Sequence, residues 1–314
     1  MECLMMNMTE ASTPLTERCK MGAHFMYSPL KSPSTYQQQL ALLKSRGIVV
    51  NSTPECESFL QRVNYYRLTG YTLPFKDSAS DTFKDLSFYR LECVYYFDTE
   101  LRNLVALAIE KVEIYLRAQL SYYHAHHYGA EGYMDANHFN ARHKHIEFQE
   151  RVTHCISDNS KSPVVKHHIS KYGGKFPIWV IIDYFSLGML SYFYTDMKNP
   201  DKAYLAQNLY GTSFQVLTSW LKCLTDLRNR CAHYSRLYYW IFPAVPKGMK
   251  GDSFVYGHDL FSQLYMLKQL YPEKDRWNED FLNPLSRLIK KYNSYIELSH
   301  IGFPNNWKSI LKQP

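Results

Sequence analysis

FDTELRNLVALAIEKVEIYLRAQLSYY (residues 97–123) contains neither proline nor glycine. It repeats Leu101, Leu104, Val105, Ala108, Val112, Tyr115, Leu116 and Leu120 at intervals of three and four, the period of an amphipathic helix. The same stripe starts at Leu91, Val94 and Tyr95, and no breaker interrupts Asp85–Tyr128 before Gly129. One or two long helices are expected there, with Glu113 and Arg117 as an i,i+4 ion pair. A chain organised around such an element is all-α.

Shorter helices are expected on the N-terminal side. YQQQLALLKSRG places Leu40, Leu42 and Leu43 at helical spacing and ends on Gly47. A second helix is predicted from Pro54 to about Tyr66, with Thr53 as N-cap. Residues 1–34 mix Met, Thr, Ser and Pro without a period and read as a flexible arm. Towards the C-terminus, helices are predicted over 177–198, 213–235 and about 259–299. No alternating strand pattern, heptad or internal repeat stands out.

The 314 residues are 46% hydrophobic and 21% charged, a globular balance. The excess of Lys and Arg, 36 against 29 acidic residues, favours an anionic partner without naming one. Aromatics reach 16%, which fits a ring-rich core or stacking platforms for bases. Seven scattered cysteines with no C-x-x-C pair suggest neither a disulfide framework nor a zinc site, and so a reducing, cytoplasmic setting. The N-terminus lacks the apolar run of a secretory signal. PIWVIIDYFSLGMLSYFYT (177–195) has the length of a membrane span, but Asp183 and its many Tyr, Ser and Gly residues favour a buried helix in a bundle, with no membrane partner.

Nine of the thirteen histidines fall between His124 and His168. His124-x-His126 and His143-x-His145 invite a metal reading, yet no H-E-x-x-H or carboxylate at ligand spacing accompanies them. A polar, solvated connector is expected, with no metal and no cofactor. The chain also lacks G-x-x-x-x-G-K-[ST], G-x-G-x-x-G and G-x-S-x-G, which removes several large enzyme classes.

What remains is SWLKCLTDLRNRCAHYSRLYYW (219–240), where Arg228, Asn229, Arg230, His233 and Arg236 gather within nine positions. On a continuous helix Asn229, His233 and Arg236 share a face, so that the Asn amide can orient the His ring. Arg228 stands about 140° round from His233 by the same arithmetic. The pair must then meet at a bend, reach across, or work with a second copy. A histidine moves protons near neutral pH and an arginine offers a planar fork to a phosphate oxygen, a combination suited to cleavage of RNA by its own 2′-hydroxyl. Spacing alone discriminates poorly, because Arg18 to His24 and Arg117 to His124 are similarly spaced.

Taken together, NYYRLTGYTLPF (64–75), residues 97–123, PIWVIIDYFSLGMLSYFY (177–194) and LRNRCAHYSRLYY (227–239) resemble the successive motifs of the bacterial Abi-like family, abortive-infection proteins of the Abi-D and Abi-F type. The resemblance spans roughly 35–245, leaving 246–314 as a helical extension packed on the same domain. It implies a HEPN-like bundle and a metal-independent endoribonuclease of a phage-defence or toxin system. It also implies Arg228 and His233 as the catalytic pair, with Asn229, Arg230 and Arg236 supporting or binding RNA. Such proteins pair two copies around one RNA cleft, which implies a homodimer with a composite site. An antitoxin or non-coding RNA is a further possible partner. Arg67, Arg102, Glu113 and Arg117 lie inside the motifs as weaker candidates, more often structural. The family commonly has Trp-Asn where this chain has Tyr238-Tyr239. The alternative is a non-catalytic RNA-binding or regulatory module; a membrane-associated protein is a weaker third reading.

Overall fold

The computed structural model describes residues 30–77, 82, 83 and 85–313, so the arm expected over 1–34 lies outside the described residues up to position 29. The element order is α1 (Tyr36–Ser45), α2 (Thr53–Arg62), α3 (Tyr65–Thr69), α4 (Phe88–Tyr128), α5 (His145–Asp158), α6 (Pro163–Tyr172), α7 (Ile178–Ile181), α8 (Leu187–Asp196), α9 (Asn199–Tyr210), α10 (Phe214–Ala232), α11 (Leu260–Leu270), α12 (Asn283–Tyr292) and α13 (Trp307–Leu311). Among the described residues only isolated β-bridges occur, and the fold is an all-α bundle.

The single helix α4, 41 residues and about 60 Å long at 1.5 Å per residue, is the axis of the fold. Ser87 caps its start by accepting from the Arg90 N–H, and Gly129, at φ 80°, ends it. Its buried positions, among them Leu91, Val94, Leu101, Val105, Val112, Leu116 and Leu120, face α7, α8, α10, α11 and α12. A helix wrapped on several sides accounts for an apolar stripe wider than a simple amphipathic face. The segment after 246 is pinned along α4 by ion pairs: Arg90 to Glu297 at 2.9 Å, Lys111 to Asp280 at 2.6 Å and Lys291 to Glu100 at 2.6 Å.

Several predicted boundaries move, each for a local reason. The helix expected over 54–66 starts after Ser52 rather than Thr53, and breaks at Val63. Asn64 then caps α3 by accepting from the Tyr66 N–H at 2.9 Å. The run 177–195 is not one helix: α7 passes into a 3-10 turn at Ile182–Tyr184, and the Ser186 hydroxyl starts α8 by accepting from Met189 N at 3.2 Å. No helix among the described residues is long and apolar enough to cross a membrane. The region 259–299 divides into α11, a π turn at Asn278–Leu282 and α12, with Pro272 and Pro284 between or opening the pieces.

The histidine-rich region is more than a solvated connector: it carries the end of α4 with α5 and α6, and although His126, His127, His154 and His167 are exposed, other rings pack inward. His124 is fully buried among Phe139, Phe193 and Tyr128, and His143 stacks on Phe139 with its Nδ1 2.9 Å from Asp196 Oδ2. His143 finds a partner for each ring nitrogen, whereas both nitrogens of His124 are buried with no hydrogen-bond partner among the described residues, a desolvation cost its aromatic neighbours do not remove. Five cysteines in the described residues, including Cys223 and Cys231 on α10, are free thiols.

Candidate active site

Helix α10 starts at the Ser213 cap and buries Leu217, Trp220, Leu221, Leu224 and Leu227 against the bundle. It stops at Ala232 because the chain turns through a left-handed residue: Tyr234 has φ 55°. Its N–H donates to the Cys231 carbonyl at 3.1 Å, and the Ser235 N–H donates to the Arg230 carbonyl at 2.8 Å, completing a Schellman closure. Glycine ordinarily fills that position; a tyrosine there costs about 1 kcal/mol or more.

Neighbouring arginines hold the strained turn. Arg67, on α3, donates to the Tyr234 carbonyl, and Arg236 donates to the carbonyl of Gly70. The two segments thus exchange guanidinium contacts across 166 or 167 positions of chain. Arg230 donates to the Arg236 carbonyl at 3.0 Å with its guanidinium 3.5 Å over the Trp240 ring. Burial lowers the pKa of both Arg230 and Arg236. The expected common face of Asn229, His233 and Arg236 therefore ends at Ala232, and Arg230 and Arg236 are spent on the fold of the turn.

Beneath the turn lies a charged cluster that sequence reasoning missed. Asp98, fully buried on α4, accepts from the backbone N–H of Leu237 at 3.1 Å and of Tyr238 at 2.7 Å. Its other oxygen takes the Tyr71 hydroxyl at 2.6 Å and pairs with Arg102. Burial raises the Asp98 pKa, while Arg102 and the three other donors oppose that shift and hold the carboxylate. Arg102 is thus a structural partner, and the readable signal was an i,i+4 Asp–Arg pair inside an apolar stripe. The Tyr238 hydroxyl in turn meets His300 Nδ1 at 2.9 Å, linking the turn to the C-terminal segment.

Arg228 faces a groove of about 410 Å³ between α4 and α10, lined by Asn103, Glu110, Glu113, Arg117 and Tyr234 as well. Its side chain is 37% exposed, with Nε 3.7 Å from Glu113 Oε2. The opposite oxygen of Glu113 pairs with Arg117, which also donates to the Phe185 carbonyl at 2.8 Å. Two guanidinium groups from two helices therefore share one carboxylate, and the expected i,i+4 pair Glu113–Arg117 forms and lines the groove. His233 is exposed and has no side-chain hydrogen bond among the described residues. The Asn229 amide oxygen accepts from Arg228 at 3.4 Å instead of orienting His233. Arg228, Glu113 and Arg117 are brought together; His233 is not among the residues that line the groove, although its neighbours Ala232 and Tyr234 are.

No group of three or more His, Cys, Asp or Glu among the described residues is arranged to hold a metal ion. The arrangement offers a guanidinium fork in a groove and an exposed imidazole on the turn that follows.

No curated protein and no solved structure matches the chain. A family model described as Abi-like protein matches residues 58–239, which runs from α2 through the Tyr238-Tyr239 end of the turn and takes in Arg67, Asp98, Glu113, Arg228 and His233. A match over more than half of the chain, containing the whole constellation just described, means that this chain belongs to the Abi-like protein family.

Proposed function

We propose that the protein is a metal-independent endoribonuclease of HEPN type that acts in abortive infection or as a toxin. Family membership supports the defence setting. The observation that carries the nuclease reading is a half-exposed Arg228, tethered by Glu113 in a groove, followed five positions on by an exposed His233 on a turn held from both sides.

In this reading the RNA 2′-hydroxyl loses its proton and attacks the adjacent phosphorus. The 5′-oxygen leaves and takes up a proton, so the products are a 2′,3′-cyclic phosphate and a 5′-hydroxyl. His233 transfers protons, Arg228 carries charge developing on the phosphorane, and Asn229 steadies the Arg228 fork. One copy supplies a single imidazole, where acid and base steps call for two. A homodimer meets that need, and the exposed apolar residues Leu107 and Ile114, in register on α4 beside the groove, support it. A protein antitoxin or a structured RNA would hold the activity in check.

The test is cleavage of end-labelled RNA in excess EDTA by the parent protein, Arg228→Ala and His233→Ala, with analysis of the product ends. Cutting by the parent alone, with cyclic phosphate ends, is the expected result. Equal cutting by His233→Ala would remove the assignment. Salt-sensitive RNA binding without cutting by any of the three would favour a regulatory module.

A further inference from the structure

Helix α3 touches two places at once. Arg67 reaches the Tyr234 carbonyl, and the preceding residue, Tyr66, lines a second and larger groove formed with α1 and α2. This groove measures about 1100 Å³, beyond the range of about 300–1,000 Å³ common for small-molecule pockets. Lys31, Arg46 and Arg62 line it, and none of its described lining residues is acidic. Tyr36 and Tyr66 present rings to solvent, Tyr66 at 78% exposure. The remainder of the lining is largely hydroxyl and amide.

Each part of that chemistry matches a part of an unpaired nucleotide strand. Cations along a groove attract a phosphate backbone. Exposed rings offer stacking faces that every base can use, and hydroxyl or amide groups can meet base edges. A duplex keeps its base faces stacked internally and cannot use the rings. An acidic peptide would use the cations but leave the rings without a role.

We propose that the α1–α3 groove binds single-stranded RNA and leads the strand past α3 to the Arg228–His233 site. The destination rests on the nuclease reading; the binding does not.

The experiment uses the full chain carrying His233→Ala, so that bound RNA is not cut, and a fluorescein-labelled unstructured RNA of about twelve nucleotides, within the span of about 4–16 nucleotides known for such grooves. Tyr66→Ala is expected to weaken binding roughly ten-fold or more. Arg62→Gln is expected to weaken it and to reduce the slope of log affinity against log salt by about 0.7. Both positions are exposed, and unchanged melting of the variants checks that they fold. Affinities equal to the parent would overturn the proposal, as would equal competition by duplex RNA or by polyglutamate. Loss of binding in the groove variants supports it even if the parent protein never cuts RNA. Cutting by the parent with unaltered binding in the groove variants removes the groove alone.

Discussion

Asp98 Oδ1 accepts the backbone N–H of Tyr238 at 2.7 Å, although the two residues stand 140 positions apart. A carboxylate at the middle of the bundle thereby fixes the chain leaving the turn that displays His233. Arg67 and Arg236 secure the same turn from α3 and the following coil. The site is a loop over-determined from below and from the side, which is the condition under which a strained tyrosine persists at its apex.

Asp98→Ala removes the partner of a buried guanidinium and leaves two backbone donors unpaired, so it should cost about 3–5 kcal/mol. Urea unfolding measures this. A loss under about 1 kcal/mol would show that the cluster does not hold the turn.

His124 is fully buried, and burial pushes its pKa down to about 4 from the ordinary 6.5. The unfolded chain then takes up the proton first as pH falls. The stability tied to a neutral ring is complete above about pH 6.5 and declines between there and about pH 4, by up to roughly 3 kcal/mol. His124→Phe, a ring among rings, should flatten that part of the stability profile relative to the parent. Parallel profiles for the two proteins would contradict the assignment.

Tyr234 has φ 55° and is largely exposed, so Tyr234→Gly should gain up to about 1 kcal/mol, while a β-branched Tyr234→Val should lose at least as much. Thermal melts of the two variants read the difference in sign. Two losses of equal size would mean that packing of the ring, not backbone strain, governs the position.

Glu113→Gln keeps the shape of the groove floor but removes the charge shared by Arg228 and Arg117. If Arg228 acts on the phosphorane, its loosened fork should lower cleavage by about 100-fold with a smaller change in RNA affinity. Initial rates and anisotropy titrations on the same RNA separate the two effects. Full activity would show that Arg228 needs no tether.

The long helix was legible because its information is local: an unbroken apolar period between Ser87 and Gly129 suffices. The Arg228 to His233 segment stands out for the same reason, as a dense run of cationic, amide and imidazole groups at the end of a helix, although its spacing alone does not set it apart from Arg18–His24 or Arg117–His124. The breaks at Asn64, Ser186 and Tyr234 were not, because side-chain caps and a left-handed tyrosine set them against a helical pattern that continues. Asp98 was missed because an i,i+4 Asp–Arg pair reads equally well as surface decoration.

The sequence by itself therefore determined that the chain is all-α, where its main helix lies and which short segment carries the candidate chemistry, since periodicity and residue type are properties of neighbours. Only the tertiary structure decided which arginines remain available. Arg228 and Arg230 are two positions apart, yet one opens on a groove and the other lies against Trp240. Glu113 on α4 tethers Arg228, while Arg230 follows the turn that Arg67 on α3 and the Arg236–Gly70 contact hold in place, and bonds between positions far apart in the chain form only when packing brings them together.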